Sequence, residues 1–231
     1  MMIRLKFRKQ GFLKFIGHLD VLRTFQKINR RAGIDIKYSA GFSPHQEMSF
    51  AAPLGLGLTS DGEYVDYVMN SVPGKDELVR RINAVNVEEL AVLDACLLPD
   101  DAKNAMSILS AADYTLTFRP GHTPEDPERF YDRLFSFLSN PSIQVERSTK
   151  KNVIAVDLKS QIRKAGLRGD ALLLQVDTGS KSNLKPEFVI ETFCRAEGLP
   201  YDPLMFMVNR DELYGLQEGE EKPLIAFGRD F

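Results

Sequence analysis

Residues 2–38 read MIRLKFRKQGFLKFIGHLDVLRTFQKINRRAGIDIKY, and their two changes of period decide the fold. Ile3, Leu5 and Phe7 alternate with Arg4, Lys6 and Arg8, the period-two signature of a half-buried strand. Over 19–32 the period lengthens. Val21, Leu22, Phe25, Ile28 and Ala32 make an apolar stripe, and Arg23, Lys27, Arg30 and Arg31 gather on another face, as in an amphipathic helix. Gly33 stands where a helix C′ glycine belongs. Alternation returns at Ile34, Ile36 and Tyr38, predicting a second strand. A strand, a helix and a strand within 40 residues open an α+β chain.

The same alternation of periods continues outward. Residues 40–46 (AGFSPHQ) are turn chemistry, Met48 to Ala52 is a short apolar segment, and Pro53 to Gly62 reads as a glycine-rich loop. Val65, Tyr67 and Met69 predict a strand, Pro73 opens a helix, and 88–98 suits another strand. After a connector at 99–110 the order recurs. A strand over Tyr114–Phe118 leads to a helix from Thr123-Pro124, and a hairpin turns at Lys150-Lys151-Asn152. Residues 159–169 are a basic excursion. A central strand follows over 171–176, then a helix from Pro186 to Gly198 and a last strand over 204–210. The expectation is two tandem ferredoxin-like (βαββαβ) units, at 1–98 and 111–214, with 215–231 as a polar tail.

The chain has 231 residues, 43% hydrophobic and 27% charged, with a formal net charge of −2. That is ordinary globular composition. The charge is uneven. Residues 1–40 hold ten Lys or Arg against two acids, a local balance of +8, while the remainder carries 20 bases and 30 acids. A concentrated basic region can recruit a polyanion on an otherwise acidic protein. Arg4, Lys6, Arg8, Arg23, Lys27, Arg30 and Arg31 are therefore the candidate RNA-backbone contacts.

Two cysteines, Cys96 and Cys194, are too few and too far apart for a CxxC zinc site, a disulfide framework or a three-cysteine iron–sulfur motif. No apolar run is long enough to span a membrane, and the start lacks a signal-peptide core, so a cytoplasmic protein with no membrane partner is expected. No cofactor and no metal are expected, since no compact set of three or four ligands is visible.

Three constellations could carry chemistry. His18-Leu19-Asp20 precedes the basic helix, with Asp20 placed to cap it. His45 lies in the 41–57 loop, and His18, Asp20 and His45 are expected to converge on one pocket, as acid–base groups or as RNA contacts. Ser180, Lys181, Ser182 and Asn183 form a loop before a helix N-terminus. That arrangement suits an anion or, more plainly, a side-chain cap beside a solvated lysine. It lacks the spacing of a P-loop.

Two blocks, FIGHLDVLRTFQKINRRAGI and YSAGFSPHQEMSFAAPLGLGLTSDGEYVD, together with the later DTGSKSNLKPEFVIETF, resemble the radical-SAM-linked protein family. Gly17 stands where that family usually has Ser, and Gln46-Glu47 where it has Pro-Lys. The resemblance implies a radical SAM protein as partner, because members are encoded beside or fused to one. Three readings follow. The first is a non-catalytic RNA-binding or substrate-presenting partner of a radical SAM enzyme, acting in modification of an RNA such as tRNA or rRNA. The second is an RNA-processing or RNA-modifying enzyme that uses His18 and His45. The third is a protein-interaction adaptor without RNA.

Overall fold

The computed structural model describes residues Met1–Ser148 and Val153–Phe231. The turn expected at Lys150-Lys151-Asn152 lies outside the described residues. The chain is α+β and groups into two compact units. One is built from Met1–Ser110 with Asn209–Phe231, the other from Ala111–Val208.

In the first unit, β1 (Met2–Lys9) lies between β3 (Thr59–Val68) and β4 (Val92–Leu97) and is antiparallel to both. Leu5 sits opposite Val65 on one side and Ala95 on the other. The short β2 (Met48–Phe50) pairs with the outer edge of β3, Phe50 opposite Val65, so the order is β4-β1-β3-β2. At its start, β3 also meets β10 (Phe206–Gln217) in parallel, through Thr59 with Asn209 and Ser60 with Arg210. The sheet is therefore mixed. β11 (Glu220–Pro223) pairs with β10.

The alternation read from β1 places Ile3, Leu5 and Phe7 in the core. They pack with Val21, Phe25 and Ile28 of α1 (His18–Arg31) and with Leu78 and Ile82 of α2 (Lys75–Asn83). Phe7 and Phe25 meet edge to face at 4.8 Å. Each such side chain contributes roughly 1.5–3 kcal/mol by leaving water, which makes this layer the main stabilisation of the unit. At Gly62 an added Cβ would stand 2.5 Å from the Asp211 carbonyl oxygen, so only glycine lets the two backbones approach there.

In the second unit, β9 (Ala171–Asp177) lies between β5 (Leu109–Phe118) and β8 (Ile162–Arg168), antiparallel to both. β10 is the neighbour of β5 on its other side, giving the order β10-β5-β9-β8. α4 (Pro127–Leu138) and α5 (Pro186–Ala196) supply Phe130 and Phe193, whose rings meet edge to face at 5.2 Å. β6 (Gln144–Ser148) and β7 (Val153–Asp157) form a separate two-stranded sheet.

Several local expectations are corrected. Ile34, Ile36 and Tyr38 do not make a strand; they make isolated bridges, Ile36 with Met69 and Tyr38 with Gln46. The connector holds a short helix, α3 (Ala105–Ile108), capped by Asn104, and β5 begins directly after it. The basic excursion is a 3-10 turn followed by β8, an edge strand whose outward residues stay charged and exposed. The polar tail contains the end of β10, β11 and a 3-10 turn over Leu224–Phe227, and Leu224 is fully buried.

Candidate nucleic-acid interface

α1 turns Val21, Phe25, Ile28 and Asn29 inward and leaves Leu19, Arg23, Lys27, Arg30 and Arg31 exposed. Positions 19, 23, 27 and 31 are four apart, so their side chains form one row along the helix with Cβ atoms about 5–6 Å from each other. Arg23 makes an exposed pair with Asp20 at 3.5 Å. Among the described residues, Lys27, Arg30 and Arg31 make no ion pair. Arg30 and Arg31 complement the negative end of the helix dipole. Arg23 with Lys27 and Lys27 with Arg31 are like-charged neighbours, each costing roughly 0.2–0.5 kcal/mol in an isolated helix. A polyanion would relieve that repulsion.

The expectation that the β1 cations share this face is corrected. Arg4, Lys6 and Arg8 alternate with Ile3, Leu5 and Phe7, so they point to the face of the sheet opposite α1. Arg4 is fully buried. Its Nε and Nη2 donate to the two Asp66 carboxylate oxygens at 2.7 and 2.9 Å, and its Nη1 donates to the Leu224 carbonyl at 3.0 Å. Asp66 also accepts from the Ala105 N–H at 2.7 Å. Lys6 is held by Glu212 at 2.6 Å, and Arg8 is half-buried. A strand cation opposite an acidic strand residue reads the same in sequence as a solvated one; Asp66 and Glu212 lie 62 and 206 residues away from their partners.

The three residues expected to converge do not share a pocket. Gly17 is the N-cap of α1, His18 is its first residue, and Asp20 is exposed in the first turn. His18 stands edge-on to Phe50 at 5.1 Å. It lines a small cavity of about 10 Å³ with Lys9, Phe50 and Glu63, room for about one water. Burial holds its imidazole below the ordinary pKa; Glu63 opposes that and Lys9 adds to it. Lys9 is buried, donates to the Ile16 carbonyl at 2.9 Å, and is likewise lowered, first by burial. Glu63 is locked by both Nε and Nη2 of Arg210. His18, Lys9 and the Glu63–Arg210 pair thus form a cluster with no space for a substrate.

His45 lies elsewhere. Its Nδ1 is 2.9 Å from Ser39 Oγ, and its side chain is exposed. The adjacent Gln46 donates from Nε2 to the Gln26 carbonyl at 3.1 Å and accepts from Asn29 at 2.9 Å. Those helix residues stand 8 and 11 positions after His18, roughly 12–16 Å along the axis. The two imidazoles therefore serve opposite ends of α1. The sequence reading missed Asn29 and Gln46. The available signal was a polar residue inside an apolar stripe, at Asn29, which demands a buried partner.

The loop Ser180-Lys181-Ser182-Asn183 precedes α5, whose N-cap is Lys185; the Lys185 side chain makes no capping hydrogen bond. Lys181 is exposed. The helix proper begins at Pro186, three residues after Asn183. Among the described residues, no three His, Cys, Asp or Glu side chains gather to hold a metal ion. No described helix is long and apolar enough to cross a membrane.

These features define an α+β protein with a row of exposed cations along one helix. Residues 2–186 match the family DUF2344, described as an uncharacterized protein conserved in bacteria, and the chain belongs to that family. The description names no partner and no reaction. No curated protein matches the chain.

Proposed function

We propose that the protein binds RNA through the exposed row of α1 and acts as a non-catalytic partner that presents RNA to a radical SAM enzyme. The observation that carries the RNA reading is the row Arg23, Lys27, Arg30 and Arg31, all exposed on one helix, three of them without an ion pair among the described residues. Phosphate neutralisation by such cations supplies most of the sequence-independent affinity for nucleic acid. The radical SAM partner, the cytoplasmic setting and the choice of tRNA or rRNA rest on the resemblance of the two N-terminal blocks. The strand orders β4-β1-β3-β2 and β10-β5-β9-β8 support reading both units as ferredoxin-like. The separation of His18 from His45 favours a binding role over a two-histidine catalyst.

The test is RNA retained through purification. Protein carrying Arg23→Glu, Lys27→Glu and Arg31→Glu should come out free of the RNA that the unaltered chain retains. If both preparations hold the same RNA, or neither holds any, the reading fails. Co-purification with a radical SAM protein from cell extract tests the partner separately.

A further inference from the structure

Beside the basic row stands a loop closed by contacts between its own two ends. The Ser39 N–H donates to the His45 carbonyl at 2.9 Å, and the His45 N–H donates to Ser39 Oγ at 3.1 Å. The His45 ring lies 2.9 Å from the same hydroxyl. These three contacts clasp residues 40–44 into a closed loop, with Gly41 at φ +112° making the reversal. At its tip Phe42 is fully exposed and, among the described residues, touches no other ring. Tyr38, at the foot of the loop, is half exposed and accepts a hydrogen bond from Gln46 at 3.2 Å. Gln46 in turn binds Gln26 and Asn29, so the foot is anchored against the stretch of α1 that carries Lys27 and Arg30. Phe42 is four residues from Tyr38, within about 14 Å of that anchor.

A phenylalanine held in water by a braced loop, beside a row of cations, has the two parts of a single-strand binding site: a charged track for the backbone and an aromatic face for a base. Duplex RNA offers only the first part a partner, since its base faces are stacked on each other. We propose that Phe42 is a base-stacking platform, and that the ligand of the α1 row is single-stranded RNA. This rests on the RNA reading above and names the form of RNA. It also gives His45 a positioning role, as the clasp that presents Phe42.

The chain contains no tryptophan, so Phe42→Trp introduces a single indole reporter. Titrating that variant with a 12-nucleotide oligouridine should quench the indole emission, and a 12-base-pair duplex should leave it unchanged. Phe42→Ala should weaken oligouridine binding about tenfold and leave duplex binding as it was. His45→Ala should weaken oligouridine binding in the same direction by a smaller factor. If the Arg23, Lys27 and Arg31 reversal abolishes oligouridine binding while Phe42→Ala changes nothing and the indole is not quenched, the stacking proposal is overturned and the RNA reading stands. If the unaltered chain binds neither oligouridine nor duplex, both are overturned.

Discussion

Asn29 of α1 and Gln46 of the following loop share a buried hydrogen bond of 2.9 Å, and Asn29 Oδ1 also accepts from the Tyr67 hydroxyl at 3.0 Å. One side chain thus joins the basic helix, the aromatic loop and the central strand β3. Replacing Asn29 by Ala should leave the Tyr67 hydroxyl without its partner and cost about 1–3 kcal/mol, read as a lower urea midpoint. Amides of residues 38–46 should exchange faster in the same variant. Unchanged exchange there would show that the loop is braced by other means.

Arg4→Met should be among the most destabilising changes in the first unit. It strands the buried Asp66 carboxylate, and breaking a buried pair from one side costs about 3–5 kcal/mol. Adding Asp66→Leu should recover part of that loss, as a double-mutant cycle in urea would reveal. A loss under about 1 kcal/mol for Arg4→Met would mean that the pair is solvated in solution.

The opposite orientation of strand and helix cations predicts different salt responses. Arg30→Gln should lower the slope of log affinity against log salt by roughly 0.7–1 for oligouridine. Arg8→Gln, on the far face of the sheet, should leave the slope unchanged. Equal effects from the two would place RNA on both faces.

His18 is held below its ordinary pKa of about 6.5, first by burial; Glu63 opposes the shift and Lys9 reinforces it. The folded chain therefore favours the neutral ring, while the unfolded chain takes up the proton more readily. Stability from this site is complete above about pH 6.5 and is lost as the pH falls below it. Unfolding in urea at pH 7.5 and pH 5.5 should show that decline, and His18→Gln should reduce it. Proton NMR should give a His18 pKa below that of His18 in the unfolded chain.

Both thiols are buried, and burial pushes Cys96 up to about 11 and raises Cys194 as well. Native protein should react with Ellman's reagent only slowly, and both thiols should react once it is unfolded in urea. Rapid native labelling of Cys96 would contradict its burial.

Much of the first unit was legible because it obeys local periods. β1 and α1 declare themselves by alternation and by the stripe Val21, Phe25 and Ile28, and the exposed row on α1 is the complement of that stripe. Pairings across long separations were not legible. Nothing local distinguishes Arg4, which is buried against Asp66, from Lys27, which is exposed and makes no ion pair among the described residues. Residues 34–38 alternate like a strand, yet only Ile36 and Tyr38 find bridging partners, because edge pairing is decided by what lies alongside. The convergence of His18 and His45 failed for a related reason. His18 opens α1 and His45 follows it, and the helix holds its two ends apart by its own length.

The Glu63–Arg210 pair joins residues 147 positions apart. At about 5–20 residues per second, a ribosome needs roughly 7–30 s to add Arg210 after Glu63 has been made. During that interval the nascent chain must leave Glu63 hydrated, so the first unit cannot reach its final packing while the second is being synthesised. The order of assembly therefore runs against the order of the sequence: Ala111–Val208 can close on itself first, and the unit that begins the chain finishes last.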